Sequence, residues 1–152
     1  MVCLFTVIAI INGLMDFALP QPDYYYDSSS TPEGMTKEAY RLKITSGPKV
    51  TTLTFADLAA MPQTSMTKDF QCVTGWRVND VPWSGVLLRN LLAEAGVEPD
   101  AAALRFTSFD GVYTESLTME QGLRDDILVA TSMFGKPLEV KHGAPVRLYV
   151  VP

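Results

Sequence analysis

From Tyr40 to Ile44 the chain reads YRLKI, apolar and polar residues in turn, which is the period of a half-buried β-strand. Ser46, Gly47 and Pro48 predict a turn after it. Thr54 and Asp57 then stand in capping-box spacing, with Asp in place of the usual Glu or Gln, and open a short helix that Pro62 stops. Phe70 to Val73 reads as a strand leading into a turn at Gly75. The strongest helical pattern covers Gly85 to Ala95. Val86, Leu87, Leu88, Leu91, Leu92 and Ala95 make its broad apolar face, with Ser84 as the predicted N-cap and Gly96 just past its end. Strands are predicted at Ala103–Phe109 and Val112–Ser116, on either side of Asp110 and Gly111, the pair that type I′ hairpin turns favour. Thr118 to Gln121 repeats the capping-box spacing and suggests a helix of one or two turns. Ile127 to Thr131 reads as a buried strand, Gly135 to Pro137 as a turn, and Val146 to Val151 as another strand. Short strands mixed with short helices, without internal repeats, predict an α+β domain with a mixed β-sheet.

Two segments of different character precede this pattern. Val2 to Leu19 is mostly apolar, interrupted by Asn12 and Asp16, and approaches the roughly 20 residues a helix needs to cross a bilayer. A signal peptide would carry a positive n-region and a small-residue cleavage site. The first basic residue is Lys37, and Ala18-Leu19-Pro20 is a poor cleavage match. Residues 1–19 are therefore expected to be a membrane anchor or the end of a transmembrane region, against the alternative of a buried segment. Residues 20–39 follow as a linker, with Pro, Ser, Asp and Gly abundant and Tyr24 to Tyr26 suited to a membrane interface. The lack of Lys and Arg before Lys37 makes this a poor cytoplasmic flank, so the domain from residue 40 to 152 is expected on the extracytoplasmic side, periplasmic or extracellular.

Composition removes whole classes of function. The 152 residues carry a net charge of −5, with 17 acidic against 12 basic side chains and no basic run. Nucleic acid is thereby excluded as a partner, because phosphate binding depends on clustered Lys and Arg. One histidine, two cysteines and no CxxC cannot build a protein-only zinc site. A hydrolase is equally unsupported, since GxSxG, HExxH and P-loop patterns are all missing. Any metal must arrive with most of its ligands attached.

Two clusters remain. Cys72 lies beside Val73, Thr74 and Gly75, with Trp76 and Trp83 on its C-terminal side. It is either a small buried hydrophobe or a metal-binding thiolate. In HGAPVR, Gly143 and Pro145 predict a tight turn that sets His142 at the mouth of a strand. Arg147 sits inside that apolar strand, and a buried guanidinium needs an anionic partner. The partner is either a carboxylate such as Asp110 or Asp126, or a bound phosphate or other oxyanion, which Arg matches in bidentate geometry.

The runs FQCVTGW, VPWSGVLLRNLL, FTSFDGVYTESL, DDILVATSMFGKPL and HGAPVRLYVVP, in that order, resemble the oxidoreductase molybdopterin-binding domain. This is the catalytic domain of the sulfite oxidase family and of bacterial methionine-sulfoxide-reducing molybdoenzymes. The resemblance spans Tyr40 to Pro152 and is nearest to bacterial membrane-associated members. It implies the sulfite-oxidase-type fold and a molybdenum–molybdopterin cofactor. It further implies two-electron oxygen-atom transfer, with a haem or quinone electron-transfer partner. By the same resemblance Cys72 is the thiolate ligand of molybdenum and the catalytic position, while His142 and Arg147 hold the pterin and its phosphate. Trp76, Phe109 and Tyr113 are candidate pocket walls, and Arg77 and Arg105 are candidates for an anionic substrate by position alone. Relatives continue past the position of Pro152 with a Gly/Lys-rich loop resembling YGYKxxKW, so the domain is expected to be C-terminally incomplete. The rival expectation is a cofactor-free binding module, or an inactive truncated homologue that retains the fold.

Overall fold

The structure is a computed structural model. It describes residues 36–71, 77–98, 100–101, 103–108, 114–139 and 142–150, together with a short N-terminal strand, β1 (Val2–Leu4). Cys72, Trp76, Phe109, Asp110 and Tyr113 lie outside the described residues. Alternation from Tyr40 onward produces β2 (Arg41–Ser46), whose Leu42 and Ile44 are buried between exposed Arg41 and Lys43. It turns into β3 (Lys49–Thr54), a strand the sequence reading passed over. Helix α1 (Phe55–Ala60) starts with the expected box: the Thr54 amide donates to Asp57 Oδ2 at 2.7 Å, and the Asp57 amide donates to Thr54 Oγ1 at 3.1 Å.

β4 (Thr64–Gln71) and β5 (Arg77–Leu87) are long antiparallel partners, and α2 (Leu88–Glu94) follows directly. The helix predicted from Gly85 thus begins three residues later, and Ser84 is not its N-cap. Leu87 occupies that position without a side-chain cap, and the Ser84 hydroxyl instead meets that of Ser65 on β4 at 3.0 Å. The reason is Gly85. A Cβ there would lie 2.2 Å from the carbonyl oxygen of Val129 and 2.6 Å from the Cα of Ala130, so glycine is what lets a neighbouring strand approach. An apolar run such as Val86 to Leu88 suits a buried strand as well as a helix, and tertiary pairing chose the strand for its first part. The helix does end before Gly96, as read.

β6 (Ala103–Thr107) and β7 (Thr114–Thr118) form the predicted hairpin; their register, with Thr107 opposite Thr114, is centred on Asp110 and Gly111. α3 (Met119–Gly122) carries the second capping box, between Thr118 and Gln121. β8 (Leu128–Met133) turns through Phe134 and Gly135 into β9 (Lys136–Pro137), so the predicted turn sits one residue earlier and Lys136 belongs to a strand. β10 (Arg147–Tyr149) is the last described strand.

Among the described residues the strands make two sheets, ordered β3-β2-β1-β6-β7 and β10-β8-β5-β4, with β9 added to β8. The first is mixed, because β1 runs antiparallel to β2 and parallel to β6. The second is antiparallel, and β8, β10 and the second half of β5 are buried on both faces, whereas β4 and the start of β5 are largely exposed. Val86, Val129 and Leu148 point into the larger core with Leu42, Leu91 and Phe106; Trp83, Leu128, Ala130 and Tyr149 point into a second core with Phe70 and Leu138. Each fully buried aliphatic or aromatic side chain contributes about 1.5–3 kcal/mol by leaving water. The architecture is α+β with a mixed sheet and short helices. Among the described residues no helix is long and apolar enough to cross a membrane.

Candidate functional site

The second core is not purely apolar. Arg147, in β10, pairs with Ala130 of β8, and strand alternation turns it to the same face as Tyr149. Only 1% of it is exposed. Its guanidinium carbon stands 4.9 Å from the centre of the Phe70 ring and 5.5 Å from that of Trp83. Both distances fall in the range where a cation is attracted to an aromatic face, by about 2 kcal/mol or more when water is excluded. Trp83 stacks on Tyr149 at 4.7 Å between ring centres and faces Phe70 at 6.4 Å. The indole N–H of Trp83 is fully buried and has no hydrogen-bond partner among the described residues.

Arg147 is joined to His142 through the turn between them. Its Nη1 donates to the His142 carbonyl at 3.5 Å, a long contact. Gly143 has φ +94, and a Cβ there would come within 3.2 Å of Arg147 Cβ, so this turn needs glycine both for its backbone angle and for the closeness of the arginine stem. The His142 and Ala144 amides both donate to the Glu139 carbonyl, at 2.8 and 3.0 Å. His142 is 8% exposed, with Nδ1 3.9 Å from Glu139 Oε2. It lines a pocket of about 170 Å³ together with Phe134, Lys136, Pro137, Leu138 and Glu139. Phe134, at the tip of the β8–β9 turn, has φ 51, a left-handed backbone that costs a bulky residue about 1–2 kcal/mol. Its amide donates to Pro82 O at 2.8 Å and holds it there.

A third group joins β4, β5 and β10. The Tyr149 hydroxyl donates to the Asp69 carbonyl at 2.8 Å. The Asp69 carboxylate takes the Asp80 amide on Oδ1 at 3.0 Å and Arg77 Nη2 on Oδ2 at 2.6 Å. Burial, and after it the charge of Asp69, pushes the Tyr149 hydroxyl pKa up to about 12, with Arg147 pulling the other way.

Of the predicted site residues, the structure brings His142 and Arg147 together; Cys72 falls outside the described residues, directly after Gln71 at the end of β4. Asp126 is not the partner of Arg147, because its carboxylate is taken by Arg124 Nε at 2.7 Å, which holds its pKa below the usual range. Arg77 faces Asp69, and Arg105 lies exposed on β6 in the other sheet, away from Arg147. Sequence reading missed Phe70 as a neighbour of the arginine, and the link between Tyr149 and Asp69. The one available signal was that Phe70 and Trp83 stand in the two runs that flank Cys72.

Two neighbouring sets of donors suit an anionic, acceptor-rich group. Arg147 and the buried indole N–H of Trp83, which has no partner among the described residues, lie in the second core, while His142 and Lys136 line the pocket beside Phe134. Among the described residues no group of three or more His, Cys, Asp or Glu side chains could hold a metal, so a metal here would depend on ligands brought by a cofactor.

Residues 28–152 match the profile of the oxidoreductase molybdopterin-binding domain. The chain is 28% identical over 162 residues to mitochondrial sulfite oxidase of Drosophila melanogaster, covering 88% of this chain and 28% of that one. It is 30% identical over 118 residues to the catalytic subunit of protein-methionine-sulfoxide reductase of Campylobacter jejuni, covering 67% and 39%. The crystal structure of the sulfane dehydrogenase SoxCD from Paracoccus pantotrophus superposes with a TM-score of 0.69 at 31% identity, covering 76% of this chain and 34% of that one. The chain spans about half or less of the length of the curated relatives it matches.

Proposed function

Because the chain belongs to the oxidoreductase molybdopterin-binding domain family, whose cofactor is the molybdenum–pterin, we propose that it is the cofactor-bearing part of an enzyme of two-electron oxygen-atom transfer, sulfite-oxidising or sulfoxide-reducing. The observation that carries this reading is Arg147: a guanidinium 1% exposed, laid on Phe70 and Trp83 and joined to His142. A fixed cation walled by aromatic rings suits a phosphate, because excluding water strengthens every charge-assisted hydrogen bond made to it.

When bound, the molybdenum–pterin supplies the redox chemistry. The chain's own residues hold and orient it. Arg147 binds the pterin's phosphate and His142 its polar edge. Cys72 gives the metal a thiolate, a soft ligand suited to a dithiolene-bound centre, and is the catalytic position. Trp76, Phe109 and Tyr113, outside the described residues, are the proposed pocket walls. The division proposed is an apolar segment (1–19), whose Val2–Leu4 pairs with β2 and β6, a linker (20–39) and a globular domain from residue 40 to 152. A membrane-attached, extracytoplasmic setting follows from that apolar segment and from the absence of Lys and Arg before Lys37. Electrons pass to or from a haem or quinone partner, since a chain with one histidine has no bis-histidine haem pair of its own.

The test is the molybdenum and pterin content of protein made in a host that synthesises the cofactor. The wild type is expected to carry both, and Cys72→Ser to lose molybdenum by about 10-fold or more, the scale seen when metal sites lose supporting groups. Arg147→Ala is expected to lower pterin content more than it lowers the yield of folded apo-protein. Wild-type metal near zero, equal to Cys72→Ser, sinks the enzyme reading in favour of a cofactor-free module. Equal losses of pterin and folded protein in Arg147→Ala make the arginine structural.

A further inference from the structure

The β8–β9 hairpin turns in two residues, with Met133 paired to Lys136 on either side of them. Phe134 has φ 51 and Gly135 has φ 71, so both turn residues are left-handed, as a type I′ turn requires. Gly, Asn and Asp suit such positions. A bulky residue does not, because its Cβ crowds the neighbouring backbone there. Phe134 nevertheless holds the first of the two, fixed by the bond from its amide to the Pro82 carbonyl at 2.8 Å. Burial gives little in return, since the residue is 45% exposed. Folding does not account for a ring that is both strained and half in water, and backbone outliers of this kind concentrate at ligand sites.

What the ring does is wall the pocket that His142 lines. Pro137 and Leu138 extend its apolar side, while Lys136, Glu139 and His142 give it a polar side. Glu139 is anchored at that rim, because its carbonyl receives the His142 and Ala144 amides at 2.8 and 3.0 Å. At about 170 Å³ the pocket admits one small ring system, whereas a whole drug-sized ligand takes roughly 300 Å³ or more. An aromatic wall beside a carboxylate, an ammonium and an imidazole matches a flat heterocycle that carries both donors and acceptors on one edge. The amino-pyrimidinone end of a pterin is such an edge, with adjacent N–H groups for the carboxylate and a carbonyl for the ammonium or imidazole. We infer that Phe134 is a further binding residue, the ring on which the pterin stacks, with Lys136, Glu139 and His142 around the pterin's polar edge. The inference rests on the proposed reading of the chain as a molybdenum–pterin protein and names the wall that receives the ring system.

The experiment titrates apo-protein with pterin itself (2-amino-4-oxopteridine), whose fluorescence anisotropy rises on binding, and compares the parent with Phe134→Asn and Phe134→Tyr. Asn removes the ring and gives the turn a residue it favours, whereas Tyr keeps the ring. Phe134→Asn is expected to weaken pterin binding about 10-fold, the scale of losing one aromatic surface under a stacked base, while its melting temperature holds or rises. Phe134→Tyr is expected to bind as the parent does. In protein loaded by a host that synthesises the cofactor, pterin per folded protein is expected to fall in Phe134→Asn and to be kept in Phe134→Tyr. Parent-like affinity in Phe134→Asn overturns the inference, as does an equal loss in Phe134→Tyr, a loss that comes with a lower melting temperature, or a parent that binds no pterin. If the loaded parent carries molybdenum–pterin and both variants match it throughout, the functional reading stands and this inference alone fails. If the parent takes up no cofactor, the functional reading fails, and the titration decides whether Phe134 binds a pterin ring.

Discussion

Tyr149 concentrates several roles in one side chain. It is buried, stacks on Trp83 and donates its hydroxyl to a carbonyl 80 positions earlier in the chain. Burial disfavours the tyrosinate, so its pKa rises from the ordinary 10 to about 12. The folded state therefore keeps a proton that the unfolded chain releases first. The contribution is full below pH 10 and is lost as pH rises through about 12. Denaturant melts across that window are expected to show wild-type stability falling more steeply than that of Tyr149→Phe, and parallel slopes would refute the burial argument. For Arg147 the sequence led to the expectation of an anionic partner, a carboxylate or a bound oxyanion, because a guanidinium inside an apolar strand needs compensation. Its setting on Phe70 and Trp83 was not readable, because those rings come from strands more than 60 positions away.

At the scale of elements, the local signals worked where the physics is local. Both capping boxes formed, because each needs only a hydroxyl and an acceptor three residues apart. The start of α2 failed for the opposite reason: Ser84 and Gly85 have the chemistry of a helix start, and contacts with β8 and β4 made them a strand. This yields a paired prediction. Gly85→Ala is expected to destabilise the domain by ~3 kcal/mol or more, since its Cβ collides with backbone that cannot step aside. Ser84→Ala should cost less than the ~1 kcal/mol of a lost N-cap. Denaturant midpoints check both, and a larger loss for Ser84→Ala would restore the helix reading.

For the whole molecule, the second sheet is the organising layer. Its β8, β10 and the second half of β5 present one face to the larger core and the other to the ring cluster around Arg147. The N-terminal strand Val2–Leu4 lies between β2 and β6 in the other sheet, and 5–35 lies outside the described residues. With the proposed extracytoplasmic placement, protease added to spheroplasts is expected to cleave within residues 20–36, where Pro, Ser and Asp prevail. Cleavage only after the membrane is opened would place the domain on the cytoplasmic side.

The α+β class, both capped helices, the β6–β7 hairpin and the family-bearing runs around Phe70, Val81 and His142 were determined by the sequence alone. Each depends on residues only a few positions apart, or on an ordered series of short runs. The tertiary structure alone decided that Gly85 is a strand residue, that Arg147 rests between Phe70 and Trp83, and that Asp69 joins three strands. Those facts are contacts between distant parts of the chain. A periodic pattern states which face of an element is buried, but what it is buried against is set only when the sheets pack.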